Sequence, residues 1–382
     1  MTDSRSPADH NAENDEDSSH GWDAIDAVAE AIYGEQEPHH YGSIISYRLG
    51  GEDPLQGISV YRNKGDAGSK PHWHYLTYGF SDLYGDDDDG DGESDEAGNS
   101  EDKRSGYGFE LTFRLAIDGD EPSPPSWPLN FLQNIARYVF KTGNVFRAGH
   151  WMTANGPIKA GDATVITEMG FVADPQFPAI TTPYGHVDFL QIVGISAAEL
   201  QEGKRWNLRG LLDALKPHMP LWVTDIQRAS LHALPEVKAA VDKGAAEEGS
   251  STGVIYGSVL KLHSEKKLLR AEKVTVTMGA LLVRDLLSLL PGRLPHGKDL
   301  SVSGDDFFLV FEPADSGCAF EWEDEQTLVV KLGPSELQAF LDNVKPRGAD
   351  YVVPGLNHLI WRVEPSSIKG QDGTVQEVFG AP

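Results

Sequence analysis

The sequence predicts an α+β protein of two lobes, in which each lobe is a mixed or antiparallel sheet with packed helices. Aromatic and β-branched runs of strand length, separated by Gly, Pro and Asp, recur in both halves of the chain. Apolar residues at helical spacing mark several helices between these runs. Because single cores stop growing near about 250 residues, a chain of 382 residues is expected to form two of them.

Charge and composition exclude several classes of function. The chain has 32 Lys and Arg against 59 Asp and Glu, and its formal net charge of −27 would repel nucleic acid and anionic lipid. No apolar run approaches the roughly 18 residues of a membrane span, and the N-terminus has no signal-peptide pattern. A single cysteine, Cys318, is typical of a reducing compartment. We therefore expect a cytoplasmic protein that binds neither nucleic acid nor membranes.

The predicted N-terminal lobe spans residues 21–245 and follows a disordered acidic tail at residues 1–20. Its first helix begins near Trp22 and ends at Gly34, a residue type that favours helix C-termini. The acidic, Gly-rich segment 85–105 has no periodicity and is predicted to be a mobile loop. Strands are predicted at residues 43–49, 58–62, 72–80, 109–117 and 187–195.

Helix-start and helix-end signals define the later helices of this lobe. The second helix is predicted after Ser126 with Pro128 in its first turn, and Gly143 ends it. Ser196 and Glu199 form a capping box for the third helix. Two further helices are predicted at residues 206–216 and 235–243.

A small, polar run at residues 246–253 is predicted to be the linker to a C-terminal lobe at residues 254–366, followed by a tail at residues 367–382. Leu281 to Leu290 form a predicted helix that Pro291 and Gly292 end, and another helix is predicted at residues 335–344. Strands of this lobe are predicted at residues 253–262, 268–278, 307–311, 319–322, 327–332 and 359–363.

Two patterns raise the possibility of a metal site, and each has a simpler explanation. His72 and His74 would share one face of a strand, but a third ligand is missing, and packed histidines are the commoner interpretation. Asp87, Asp89 and Asp91 match the first half of a calcium loop, whereas Gly98 occupies the position that needs a bidentate Glu. We therefore predict no metal site.

Catalytic signatures are missing from the sequence. No strand-to-helix serine elbow, no Cys with His partners and no phosphate-binding glycine loop are found. A hydrolase that uses Asp, Glu and His residues on the sheet is the alternative that this search leaves open. The absence of catalytic motifs favours a protein that binds another protein.

Five stretches, in order along the chain, resemble the Suppressor of fused family, which comprises negative regulators that bind transcription factors. They are YRLGGEDPLQGISVYRN (47–63), HWHYLTYGFSDLYG (72–85), SGYGFELTFRL (105–115), PPSWPLNFLQNIARYVF (124–140) and TPYGHVDFLQIVGI (182–195). The resemblance covers residues 21–245, and weaker similarity continues into the second lobe through GRLPHG at residues 292–297.

The resemblance implies two α/β lobes that clamp a partner's peptide as an added strand, without a cofactor. Carried over by motif, it implies partner contacts on both lobes. The predicted partner-binding residues are Tyr138, His150, Val254, Tyr256, Glu272, Val274 and Val276. His150 follows Gly149 where the animal proteins have an aspartate that meets a histidine of the peptide, so a different partner motif is expected.

The compact chain resembles bacterial members of the family, which are assigned as immunity proteins of polymorphic toxin systems. The predicted partner is accordingly a basic toxin, since an acidic protein captures a basic one rapidly. The predicted function is sequestration of this partner without catalysis, and the sequence leaves the oligomeric state open.

Overall fold

The computed structural model describes residues 19–45, 47–65, 68–85, 103–119, 121–267, 270–369 and 374–382. Most of the predicted acidic tail and of the acidic loop, including the calcium-like aspartates, lies outside the described residues. The structure divides into two compact units. The first contains the described residues up to Arg147 together with Phe171–Ile192, and the second contains Ala148–Gly170 and Val193–Pro382.

Two helices and eight strands precede residue 197 in the described part of the chain. They are α1 (His20–Tyr33), β1 (His39–Gly42), β2 (Gly57–Asn63), β3 (His72–Tyr78), β4 (Arg104–Ala116), α2 (Trp127–Thr142), β5 (Trp151–Thr153), β6 (Ile166–Ala173), β7 (Ile180–Thr182) and β8 (Gly185–Ser196).

Five helices and eleven strands follow in the described residues. They are α3 (Ala197–Arg205), α4 (Leu208–Leu215), α5 (Pro235–Glu248), β9 (Val254–Tyr256), β10 (Leu260–Lys267), β11 (Arg270–Gly279), α6 (Ala280–Leu289), β12 (Leu300–Ser303), β13 (Phe308–Pro313), β14 (Cys318–Trp322), β15 (Thr327–Leu332), α7 (Pro334–Asn343), β16 (Ala349–Val352), β17 (Leu359–Glu364), β18 (Ser366–Lys369) and β19 (Val375–Phe379).

The first unit is a sheet with one helix on each face. Strands β1-β2-β3-β4-β8 are neighbours in this order, with antiparallel pairs up to β4 and a parallel β4-β8 pair, and β7 pairs antiparallel with β8. Ile25 and Val28 of α1 pack with Leu76 of β3 on one face. Phe131 of α2 contacts Phe113 of β4 on the other, with ring centroids 5.6 Å apart. The alternating residues of each strand thus serve two hydrophobic layers.

The second unit contains two larger sheets that share one core. Their strand orders are β10-β11-β17-β16 and β14-β15-β13-β12-β9. Trp361 of β17 stacks on Phe311 of β13 with centroids 5.8 Å apart, and it also contacts Phe340 of α7 at 4.9 Å. These rings join both sheets and α7 in a single hydrophobic cluster. The α+β class predicted from the sequence is confirmed.

Three predicted segments differ in the structure. In the predicted strand at 43–49, Ile44 and Ile45 form a bend and Tyr47–Leu49 form a short 3-10 helix, and Ile44 is fully exposed. α5 continues to Glu248 and therefore includes part of the predicted linker at 246–253. The predicted tail at 367–382 contains most of a hairpin formed by β18 and β19.

The predicted division at residues 246–253 also does not coincide with the two compact units. Helices α3 to α5, expected in the N-terminal lobe, belong to the second unit. Within that unit, Lys204 of α3 lies 3.9 Å from Asp285 of α6. None of the helices in the described ranges combines the length and apolar character needed to cross a bilayer.

Candidate functional site

β9 forms an open edge of the five-stranded sheet in the second unit, since β12 is its sole partner among the described strands. Two backbone hydrogen bonds of 2.9 Å join its flanking residues, Gly253 and Gly257, to β12. Successive strand residues direct their backbone groups to opposite sides, so those of Val254 and Tyr256 point away from β12. This edge can accept another strand.

The side chains of β9 alternate between core and solvent. Ile255 is 8 % exposed and belongs to the core, whereas Val254 and Tyr256 are 64 % and 63 % exposed. Both apolar side chains therefore flank the open edge without covering it. The structure places these two predicted partner-binding residues together on an accessible strand.

A glycine and an arginine hold β9 in position. A Cβ at Gly257 would lie 2.3 Å from Leu282 Cδ2, so any larger residue after β9 would require the Leu282 side chain of α6 to shift. Arg293 is 8 % exposed, and its Nη1 donates to Ser250 O at 2.8 Å. Its Nε and Nη2 donate to Asp299 O at 2.8 and 2.6 Å. One guanidinium therefore ties the segment before β9 to the segment before β12.

Tyr256 also contacts the loop after β12. Its hydroxyl donates a hydrogen bond of 2.5 Å to Asp305 Oδ1. This hydrogen bond to Asp305 raises the pKa of Tyr256. Asp305 and its neighbour Asp306 are exposed, which places two carboxylates at the C-terminal end of the open edge.

Tyr138 lies on α2 in the first unit and is partly buried. Its ring stacks on Phe146 with centroids 6.0 Å apart, and its hydroxyl accepts a hydrogen bond from Asn144 Nδ2 at 2.8 Å. Gly143 makes this return of the chain possible because it ends α2 in the left-handed conformation, with φ of 72°. The exposed part of the ring is available to a partner.

His150 is exposed directly before β5 in the second unit. The next residue, Trp151, is 40 % exposed and carries the Lys204 ammonium 4.6 Å from its ring centroid. This cation-π contact joins the residue after His150 to α3. Its role in partner binding stays a prediction.

Glu272 is engaged within the second unit. Its Oε1 accepts hydrogen bonds from the Ser264 hydroxyl and, at 3.2 Å, from Trp322 Nε1. These contacts connect β11 with β10 and β14. The carboxylate is therefore a structural acceptor in this structure.

Val274 and Val276 have no accessible side chain, since both are 0 % exposed and belong to the core. Their strand, β11, pairs with β10 on one side and β17 on the other, so its backbone is also occupied. The prediction that these two valines contact a partner is corrected: they support the sheet from within.

His72 and His74 are both completely buried, on the face of β3 that α1 covers. His74 Nδ1 lies 2.7 Å from the Tyr33 hydroxyl, and Nε2 lies 3.3 Å from Asp174 Oδ2. Burial and the nearby Arg114 lower the pKa of His74 to about 3, so the ring is neutral at pH 7. Among the described residues no group of three or more His, Cys, Asp or Glu could hold a metal ion.

The partners of His74 form a closed polar network. Arg114 donates to Asp174 through Nη1 at 2.6 Å and Nη2 at 3.0 Å, and all three side chains are fully buried. Burial alone would raise the pKa of Asp174, but the interaction of its carboxylate with the His74 ring N–H and with the charge of Arg114 lowers this pKa. The network has the residue types of a catalytic site, but its buried side chains are closed to a substrate.

Glu110 is a second completely buried acid of the first unit. It accepts hydrogen bonds from the Thr77 and Ser81 hydroxyls, each at 2.6 Å, and from the Gly79 and Ser81 amides at 3.0 and 2.9 Å. Burial raises its pKa to about 7, although these donors act in the opposite direction. Through these hydrogen bonds Glu110 of β4 holds Gly79 and Ser81, which directly follow β3.

Sequence reasoning missed Arg293 and Asp305. Arg293 stands in the GRLPHG stretch that carried the weaker resemblance, but no local pattern shows that its guanidinium reaches Ser250. Asp305 lies in an acidic chain with 59 Asp and Glu, so it is not distinctive as a sequence feature.

The family model of the Suppressor of fused protein (SUFU) matches residues 51–229. The Suppressor of fused homolog of Mus musculus is 38 % identical over 240 residues, which cover 60 % of this chain and 48 % of that protein. The chain thus spans about half the length of this relative. Tyr138 and His150 lie inside the family match, and β9 lies beyond it.

Two solved structures are similar as well. The crystal structure of Drosophila Suppressor of Fused aligns with a TM-score of 0.72 over 91 % of this chain and 97 % of that chain, at 24 % identity, and this supports the fold. A chain of the Sufu-Fu complex crystal structure has a TM-score of 0.52 and 35 % identity, and covers 58 % of this chain and 97 % of that chain. From these similarities in sequence and fold, the chain belongs to the Suppressor of fused family.

Proposed function

We propose that the chain sequesters a partner protein by binding an extended segment of it as an additional strand along β9. The observation that carries this proposal is the outward direction of the Val254 and Tyr256 backbone groups, on an edge that no strand of the described residues covers. An added strand would satisfy these groups, while side-chain contacts would select the segment. The Sufu-Fu complex, in which a relative is bound to another protein, supports binding of a protein partner.

The partner we propose is a basic toxin that this chain neutralises. The net charge of −27 supports a basic partner, because opposite charges accelerate encounter and disfavour acidic competitors. The resemblance to bacterial immunity proteins supports the toxin class. Tyr138 and His150 are proposed as further contacts of the same partner on the strength of that resemblance.

Val254→Pro tests the edge directly. Proline removes the outward amide of Val254 and leaves the hydrogen bonds to β12, which use residues on either side. Val254→Thr is the matched control, since it keeps both the amide and the β-branched shape. Both variants and the unmodified chain serve as baits for affinity capture from the native cell, followed by mass spectrometry.

The proposal expects one basic protein that is enriched on the unmodified and Thr baits and lost from the Pro bait, while far-UV circular dichroism of all three is the same. Equal recovery on the Pro and Thr baits would show that β9 is not the binding edge. A captured partner that inhibits growth when expressed alone, and does not when this chain is co-expressed, would establish the toxin class; a harmless partner would reject it.

A further inference from the structure

The register of the five-stranded sheet places three exposed apolar side chains on one face. Val254 and Tyr256 pair with Ser301 and Ser303 of β12, and Ser303 pairs with Phe308 of β13. Phe308 is 44 % exposed. The opposite face carries Ile255, Val302 and Leu309, all of which belong to the core. The outer face therefore has an apolar surface that begins at the open edge.

The C-terminal end of this surface is negatively charged. Asp305 accepts a hydrogen bond from the Tyr256 hydroxyl, and Asp306 follows it in the exposed loop between β12 and β13. Neither aspartate forms an ion pair with a described cationic side chain. A cation brought by a partner would find both carboxylates available.

We propose that the segment bound at β9 carries apolar side chains at two alternate positions, which face Val254 and Tyr256, and a lysine or arginine that faces Asp305 and Asp306. This inference rests on the proposed strand addition. Every second residue of an added strand lies on the outer face, beside the side chains of β9. The charged end sets the direction of the segment: in an antiparallel strand the basic residue precedes the apolar pair, and in a parallel strand it follows.

Six labelled hexapeptides test this specificity by fluorescence anisotropy with the full chain. One series is acetyl-KTVTVT-amide and its variants with Thr or Glu in place of Lys, and the other is the reversed sequence TVTVTK with the same replacements. The affinity of the Thr peptides measures strand addition alone. The difference in affinity between the Lys and Glu peptides measures the contribution of Asp305 and Asp306. We expect the Lys peptide of one series to bind about ten-fold more tightly than its Glu counterpart at low salt.

Asp305→Asn combined with Asp306→Asn should reduce the difference between the Lys and Glu peptides to less than about two-fold. Asp315→Asn with Asp342→Asn is the matched control, because it removes two exposed aspartates elsewhere in the same unit. Equal affinities for the Lys and Glu peptides, or a preference that survives the Asp305 and Asp306 changes, would overturn the inference.

The same peptides separate this inference from the proposed function. Binding of the Thr peptide that Val254→Pro abolishes, without any preference for Lys, would leave strand addition standing and reject the role of the aspartates. If no peptide of either series binds, both the edge and its specificity are rejected.

Discussion

Arg293 donates a hydrogen bond of 2.8 Å from Nη1 to the carbonyl oxygen of Ser250, four residues before β9 begins. The same guanidinium holds Asp299 O, one residue before β12. The start of the open edge is thus fixed by a residue that lies between α6 and β12.

Arg293→Met should lower the free energy of unfolding by about 3 kcal/mol, since three charge-assisted hydrogen bonds to backbone carbonyls are lost together. Urea denaturation followed by circular dichroism measures this value. Arg284→Met, which changes a partly exposed arginine paired with Asp285, is the control and should cost less than about 1 kcal/mol. Equal costs for the two variants would contradict the role assigned to Arg293.

Glu110 should make the chain less stable as the pH rises. Its pKa is raised from 4.5 to about 7, so the folded chain holds this proton more tightly than the unfolded chain. The stability that results is present in full below pH 4.5 and is lost as the pH rises through about 7, up to about 3 kcal/mol. Urea denaturation at several pH values, compared with Glu110→Gln, measures this slope. If Glu110→Gln has the same dependence of unfolding free energy on pH as the unmodified chain, Glu110 is not the cause of this dependence.

His74 should have the opposite effect at lower pH. Its pKa is lowered from 6.5 to about 3, so the unfolded chain binds this proton more tightly than the folded chain. The corresponding stability is present in full above pH 6.5 and is lost as the pH falls toward 3. Between pH 4.5 and 6.5 it offsets the effect of Glu110. His74→Asn should therefore flatten acid unfolding between pH 4.5 and 3, as monitored by tryptophan fluorescence; an unchanged acid transition would contradict this.

Tyr138→Ala should weaken partner binding and shift the thermal midpoint by only a few degrees, because the ring is partly exposed and its packing involves chiefly Phe146. Tyr138→Phe is the matched control: it keeps the ring and removes only the hydrogen bond from Asn144. Differential scanning calorimetry and capture of the partner measure the two effects. Loss of folding in Tyr138→Ala would assign the residue to the core.

Local signals predicted the helices well. The structure confirms that α2 follows Ser126, has Pro128 in its first turn and ends at Gly143. It also confirms the capping box that Ser196 and Glu199 form at the start of α3. These features depend on hydrogen bonds within a few residues, so the sequence contains what determines them. The capping box did not show that Glu199 is also bound by Arg228, at 2.6 and 2.7 Å, because the two residues are 29 positions apart.

The candidate site was only partly predictable for a related reason. Val254 and Val274 are the same residue type in predicted strands, yet one is 64 % exposed at an edge and the other is buried. The difference comes from the face on which each side chain lies: Val274 belongs to the core that the two sheets share, whereas Val254 lies on the face of β9 opposite the core residue Ile255. Residue type and alternation predict a strand, whereas its place in the sheet depends on pairing between distant segments.

The length of β9 has a consequence for the behaviour of the protein at high concentration. β9 is only three residues long, between two glycines, so it exposes few unpaired backbone groups. Long, flat apolar edges recruit copies of the same chain and lead to aggregation, and short edges do so weakly. A chain with a net charge of −27 adds mutual repulsion between copies. The edge can therefore remain open for a foreign segment while self-association stays disfavoured.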